Sequence, residues 1–368
     1  MNSKRYNNTK LALNIIEGIL TFILIYFFVA AGFSDILVKK ISIYVSNIYL
    51  QFIIFAVIVG GLLGIIFLPI NYYSNYYLEH KYKLSNQTLY KWIWENTKGL
   101  FVSAAIGLPL LVFFFFVLNR FGTTWWLPLS IGLFFLSVIL AQLVPVLILP
   151  IFYKVTPFQN EELKTRISNL AYNAGIKVSN IYSFDMSKNT KKANAAFTGL
   201  GKTKRILLGD TLIQNYSNAE IETVIAHELG HYKKKHIVKN LILGTFFSFF
   251  SLYLMAILYE NSIGWFGFHS INQIAAIPIL SLWAMLVGLI VSPTSNAISR
   301  KFEYEADQYA IDVTKKVSEF KSVLEKLTDQ NLGDREPHPF VEWFFYSHPS
   351  IKKRILAIEK YALFNGFN

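Results

Sequence analysis

The chain contains no cysteine. That excludes disulfides and thiolate zinc ligands together, so any metal site must be built from histidine and carboxylate. Charge is also scarce: only 16% of residues are charged, whereas 53% are apolar, and the apolar residues come in long runs. Such a composition excludes an ordinary soluble domain and reads as a membrane protein.

Runs with few or no charges cover 11–32, 51–73, 99–118, 125–150, 237–259 and 272–293. Each is near the roughly 20 residues a helix needs to cross the hydrocarbon core. Six spans are therefore expected. The first run is long, contains Glu17 and lacks a small-residue cleavage pattern, so it reads as a retained span rather than a signal peptide. Of the 35 Lys and Arg, only Lys39, Lys40 and Arg120 fall in loops that would alternate to one side. The positive-inside rule then places both termini and residues 151–236 in the cytoplasm. The net charge of +12 is explained by that topology. No basic, aromatic-laced recognition module is present, so no nucleic-acid partner is expected.

The spans divide the chain into a membrane region at 1–150 with about four spans, a polar stretch at 151–236, two further spans at 237–293 and a polar tail at 294–368. Residues 161–174 have helical periodicity ending at Gly175; VSNIYSF reads as a strand, and NAAFTGLGKTKRILLGDTL as two strand-like runs joined by a Gly-containing turn. Ser217 followed by Glu220 is a capping box that opens the helix AEIETVIAHELGHYKKK. Further helical patterns start after Pro293 and near SHPSIKKRILAIEKYAL. Neither polar stretch can hide a good core alone, so the two should pack on each other and on the spans. Gly60 and Gly64 form a G-x-x-x-G, a weak hint of close helix packing.

His227, Glu228 and His231 stand as H-E-x-x-H. On a helix, residues four apart share a face, so the two imidazoles can face one ion while Glu228 projects beside them toward its water. A catalytic zinc needs a third protein ligand. The longer metzincin motif fails, because Lys234 and Ile237 stand where it requires Gly and His. His236 lies nearly opposite His227 and reads as helix-terminal rather than a ligand. In SRKFEYEAD, Glu303 and Asp307 share a face while Glu305 points away. Glu303 as ligand, with Asp307 holding a ligand imidazole, is the economical assignment.

The pieces YYLEHKYKLSNQTL, IGLPLL, ILPIFYKVTPFQNEELK, NAAFTGLGKTKRILLGDTL, VIAHELGHYKKKH, SRKFEYEADQYA and YSHPSIKKRI resemble, in order and spacing, the integral-membrane zinc metallopeptidases of the CAAX prenyl protease type I (sterile-twenty-four) family, which are gluzincins. The resemblance covers roughly 60–362. It implies a fold class of all-α membrane protein with a small α+β zinc-metalloprotease domain, its multi-helix transmembrane bundle enclosing a chamber. It implies one Zn2+ per chain on His227, His231 and Glu303, with Glu228 as general base and Asp307 beside the ligands. Asn194 and Ala195, in the N-A-x-x-x-G segment ending at Gly199, would lie on the edge strand that pairs with substrate. His348 and Arg354 would help hold the substrate carbonyl or the oxyanion, although a lone His-Pro is equally a helix cap. Asn296 would support the site. The chain departs from larger family members in lacking a long insertion before the H-E-x-x-H helix and in a shorter run between Pro293 and the Glu303 helix.

The expected activity is therefore endoproteolysis of a peptide or membrane-tethered protein substrate, prenylated or not, at the cytoplasmic face of the bilayer. The Asn-, Ile- and Lys-rich, Cys-free composition points to a bacterial inner membrane. There a general quality-control endopeptidase competes with a processor of prenylated tails. From another class, a membrane scaffold or permeation protein with an inactive zinc site is disfavoured by the retained Glu228. Asn14, Glu17 and Gln142 within spans fit a wet interior or interhelical bonding. Lys233, Lys234 and Lys235 read as juxtamembrane topology charges.

Overall fold

The computed structural model describes residues 2–175, 181–198 and 205–367. Six helices are long and apolar enough to cross a membrane, and they fall where the uncharged runs place them: Asn2–Ala30, Ile48–Lys81, Leu89–Thr124, Trp126–Phe152, His236–Phe266 and Ile274–Thr314. The first is α1 (Asn2–Ala30); a short α2 (Phe33–Tyr44) follows it. The second combines α3 (Ile48–Tyr72), a π-helical turn and α4 (Leu78–Lys81); the third is α5 (Leu89–Phe121) with one 3-10 turn. The fourth combines α6 (Trp126–Leu143), another π-helical turn and α7 (Leu149–Phe152).

The spans are arranged as a ring. Each packs mainly on two others, in the order α1, α3, α5, α6, then α11 (His236–Ser262) and α12 (Pro278–Thr314), which closes back on α1. In five of the six, only 6–11% of the most apolar stretch is buried, so no shared core fills the middle of the ring. Instead, the bundle is plugged at the end away from the polar segments. There Phe52 stacks on Phe115 at 4.5 Å, and Trp125, Tyr259 and Ile279 are fully enclosed by α2 and the α11–α12 connection. Tyr259 donates to the Ile271 carbonyl and Trp283 to Ser262, which satisfies these two donors.

The polar stretches share one core, as neither could form one alone. After β1 (Val155–Pro157), α8 (Glu161–Asn173) starts on an Asn160 cap and ends before Gly175 at φ +76°. Strands β2 (Ile181–Phe184), β3 (Ala195–Thr198) and β4 (Arg205–Gly209) complete a sheet of order β1-β2-β4-β3, followed by α9 (Asp210–Asn215) and α10 (Asn218–Lys233). Residues 178–180 of the expected strand, the glycine turn and Gly199 lie outside the described residues. From the tail come α13 (Val317–Gln330), α14 (Pro339–Phe345) and α15 (Ile351–Phe364). Leu208, Ile225 and Leu229 of the first stretch pack with Ile311, Phe320 and Val323 of the second.

Two expectations change. Gly60 and Gly64 bring no described helices together: a Cβ on either would meet nothing within 4 Å, so the G-x-x-x-G packs no helix of this chain. The polar tail also does not begin with a new helix at Pro293, because α12 runs unbroken from the membrane through that proline to Thr314. Proline in a helix forfeits one hydrogen bond; Pro293 is buried, and packing on neighbouring helices keeps the helix continuous.

Candidate metal centre

The capping box forms as the spacing predicts: Ser217 Oγ accepts from the Glu220 amide and the Glu220 carboxylate accepts from the Ser217 amide. Lys326 and Ser322 also hold Glu220, which ties the start of α10 to α13. The helix so anchored crosses α12 at Gly230, where a Cβ would stand 3.0 Å from Ala306 Cα and 3.1 Å from its carbonyl oxygen. Only a glycine fits that crossing without displacement. It sets the H-E-x-x-H face against the E-x-x-x-D face.

Three donors then converge. His227 Nε2 lies 3.2 Å from His231 Nε2, while Glu303 places Oε2 3.4 Å from the former and Oε1 3.4 Å from the latter. A tetrahedral zinc at about 2.0–2.1 Å from each ligand separates its donors by roughly 3.3–3.4 Å. Glu303 Oε2 is buried and accepts no well-aligned hydrogen bond. Two imidazoles, one carboxylate and an unsatisfied buried oxygen at these spacings fit a divalent zinc ion.

Behind the donors is a chain of oriented charge. Asp307 Oδ1 is 2.9 Å from His227 Nδ1, and Arg354 grips Asp307 through two nitrogens, Nε at 2.9 Å and Nη2 at 2.5 Å. Its third nitrogen, Nη1, faces Glu303 Oε2 at 3.7 Å. Burial works against charging His227, but Asp307 and Glu303 outweigh it and push its pKa up to about 9. Burial likewise opposes the Arg354 charge, and Asp307 more than restores it. His348 is largely exposed, with Nδ1 3.1 Å from Glu303 Oε2.

Glu228 lines a cleft of about 170 Å³ with Asn194, Ala195, Glu303, His348 and Arg354. The cleft runs beside β3, an edge strand. The Gly209 amide donates to the Asn194 carbonyl, so Asn194 and Ala196 turn their backbone toward β4, and Ala195 and Phe197 present theirs to the free edge. The Phe197 amide there donates to Glu228 Oε2 at 3.4 Å.

Asn296 stands apart: its side chain donates to the Phe344 carbonyl and lines a second cleft, of about 1010 Å³, between α1 and α12. Asn14 lines that same cleft. Three residues at the site carry more than the sequence suggested. Gly230 carries no signal in the sequence beyond its place in the motif, Glu305 reads only as pointing away from Glu303, and His236 as a helix end. His236 in fact is 1% exposed and touches both His231 and Glu305.

Residues 157–362 match the family described as Peptidase family M48, and residues 1–154 match CAAX prenyl protease N-terminal, five membrane helices. Here that region has four membrane-length helices and the 12-residue α2. The chain is 30% identical to an uncharacterized metalloprotease, YhfN, of Bacillus subtilis (strain 168), over 97% of this chain and 85% of the relative. It is 32% identical to CAAX prenyl protease 1 of Saccharomyces cerevisiae, over 84% of this chain and 72% of that one. The crystal structure of S. mikatae Ste24p superposes with a TM-score of 0.84 at 30% identity, covering 97% of this chain and 88% of that one. The chain belongs to peptidase family M48.

Proposed function

We propose that this integral-membrane metalloendopeptidase holds one zinc ion on His227, His231 and Glu303 and cleaves peptide bonds of membrane-associated substrates at the cytoplasmic surface of a bacterial inner membrane. In this reading 151–236 and 294–368 are the two halves of the protease unit, and 1–150 with 237–293 its membrane housing. The observation that carries it is the approach of His227 Nε2, His231 Nε2 and Glu303 to within 3.4 Å of one another beside Glu228. Zinc bound there supplies a Lewis acid that polarises a peptide carbonyl and makes water acidic enough to ionise near neutrality.

The remaining roles belong to the chain. A substrate strand lies along the free edge of β3 and takes backbone hydrogen bonds from Ala195 and Phe197, with Asn194 at its end. Engaging the Phe197 amide draws that donor off Glu228 and leaves the carboxylate free as a base. Glu228 removes a proton from water as the oxygen attacks the carbonyl carbon, then delivers it to the leaving nitrogen as the C–N bond breaks. His348 and Arg354 Nη1 offer donors to the carbonyl oxygen as its charge grows. Asp307, fixed by Arg354, keeps Nδ1 of His227 protonated and Nε2 turned to the metal.

Two substrate readings remain, and different observations favour each. CAAX prenyl protease 1 of yeast is a relative over most of this chain, which favours prenylated tails. Backbone pairing on β3 is indifferent to side chains, which favours a broader quality-control endopeptidase. The plugged ring of sparsely packed spans supports a chamber above the site for either. The deciding experiment measures zinc content and cleavage of a prenylated peptide and of an unfolded membrane protein, by wild type and Glu228→Gln. Zinc retained with cleavage lost supports the reading. Equal cleavage by both proteins ends it.

A further inference from the structure

Resting on the zinc reading above, we infer that His236 and Glu305 form a relay that fixes His231 for metal binding, so that the first residue of the fifth membrane span is a positioning residue of the metal centre. His231 turns Nε2 toward His227 and Glu303, which leaves Nδ1 facing the other way, 3.0 Å from His236 Nδ1. His236 Nε2 in turn is 3.0 Å from Glu305 Oε2. One neutral arrangement of protons leaves His231 Nε2 free for a metal. If His231 Nε2 is to offer a lone pair, its Nδ1 carries the hydrogen and donates to His236 Nδ1; His236 then carries its hydrogen on Nε2 and donates to Glu305.

The surroundings hold the row in place. Lys235 adopts the left-handed conformation, φ +58° and ψ +32°, and this kink between α10 and α11 turns the His236 ring back under His231. The ring lies flat on Phe302 at 4.2 Å and 9°, and its side chain is 1% exposed. Lys239, one turn along α11, stands 3.5 Å from the same Glu305 oxygen. The two histidine ligands are therefore backed from the same helix by different routes: His227 directly by Asp307, His231 through an intervening imidazole by Glu305. Neither His236 nor Glu305 approaches the donor atoms, so the pair acts through His231 and not on substrate.

The test uses the full-length chain in detergent, stripped of metal with a chelator. Zinc affinity is read by competition with a chromophoric chelator, and thermal unfolding is followed with and without zinc. His236→Phe keeps the aromatic stack on Phe302 but removes the acceptor for His231. It is expected to weaken zinc binding about ten- to hundred-fold, to shrink the zinc-induced rise in Tm, and to leave the metal-free Tm near that of wild type. Glu305→Leu should weaken zinc binding as well, and Glu305→Gln, which keeps an oxygen acceptor for His236, should recover much of the loss. A purely structural pair would instead lower the metal-free Tm and leave zinc affinity alone. If His236→Phe does not fold, the two Glu305 variants decide, because that side chain is partly exposed. Wild-type affinity in Glu305→Leu, or in a folded His236→Phe, overturns the relay alone. A wild-type chain that takes up no zinc overturns the metal reading and the relay with it.

Discussion

Gly230 and Ala306 touch backbone to backbone, at a distance that leaves a Cβ on residue 230 only 3.0 Å from Ala306 Cα. Gly230 lies between the two histidine ligands' turns of α10, and Ala306 between Glu303 and Asp307 of α12. The crossing therefore sets how far Glu303 stands from the two histidines. Alanine at 230 would gain up to about 1 kcal/mol of helix propensity but would have to push two helix backbones apart, a strain of about 1–3 kcal/mol. Gly230→Ala is expected to lower the Tm slightly and zinc affinity more than ten-fold, since separation carries Glu303 away from the His227–His231 pair. Unchanged zinc affinity in a calorimetric titration would show that the crossing does not control the centre.

Asp307 serves both neighbours at once, orienting His227 and neutralising the buried Arg354. Asp307→Asn keeps the volume and removes the charge. It removes the guanidinium's nearest counter-ion and leaves only Glu303 at 3.7 Å, which costs up to about 3–5 kcal/mol when a buried pair is broken, and frees His227 to take the other tautomer. The expected outcome is a large loss of Tm together with loss of zinc. A double variant with Arg354→Met should recover stability but not zinc affinity; recovery of both would mean that Asp307 matters only as a counter-ion.

In the metal-free chain, His227 has its pKa raised from 6.5 to about 9. A raised value means that charged His227 stabilises the folded metal-free chain fully below about 6.5, and that this contribution fades as pH climbs through about 9. Metal binding requires the neutral imidazole, so it works in the opposite direction. Zinc affinity should climb close to tenfold per pH unit between pH 7 and 9 from this group, with release of a proton. Titrations in buffers of different ionisation enthalpy measure that proton; a dissociation constant flat across the same interval would contradict the assigned surroundings of His227.

The spans and the side chains that share a helix face could be read from the sequence because their signals are local. Long uncharged runs determine where helices cross, and i, i+4 spacing determines which side chains share a face. That His227 and His231 share one face and Glu303 and Asp307 another needed only the spacing; that the two faces belong together rested on the family resemblance. What could not be read depends on contacts between distant segments. Gly230 has meaning only once Ala306 is beside it. Glu305 points away from Glu303 on its own helix, as a helical wheel shows, but the wheel does not reveal that α11 brings His236 to meet it. Gly60 and Gly64 carried a packing pattern with no helix to receive it. Pro293 marked a break that neighbouring helices override.

The free edge of β3 gives the substrate reading its sharpest test. Ala195 turns its amide outward, where no strand among the described residues pairs with it, and sits in the cleft beside Glu228. Proline is tolerated on an edge strand when its missing N–H faces outward, so Ala195→Pro should fold and keep its zinc while losing one hydrogen bond to an extended substrate. A net loss of about 0.5–1.5 kcal/mol corresponds to a fall in kcat/KM of roughly two- to ten-fold. Ala195→Gly keeps the N–H and should cut nearly as fast as wild type. If the proline variant, with wild-type Tm and zinc content, cleaves both the prenylated peptide and the unfolded membrane protein at full kcat/KM, then substrates do not add as a strand to β3. The loss should be larger for the unfolded protein if that class is bound by its backbone alone, whereas a prenylated tail with a second anchor in the membrane would be less dependent on the strand.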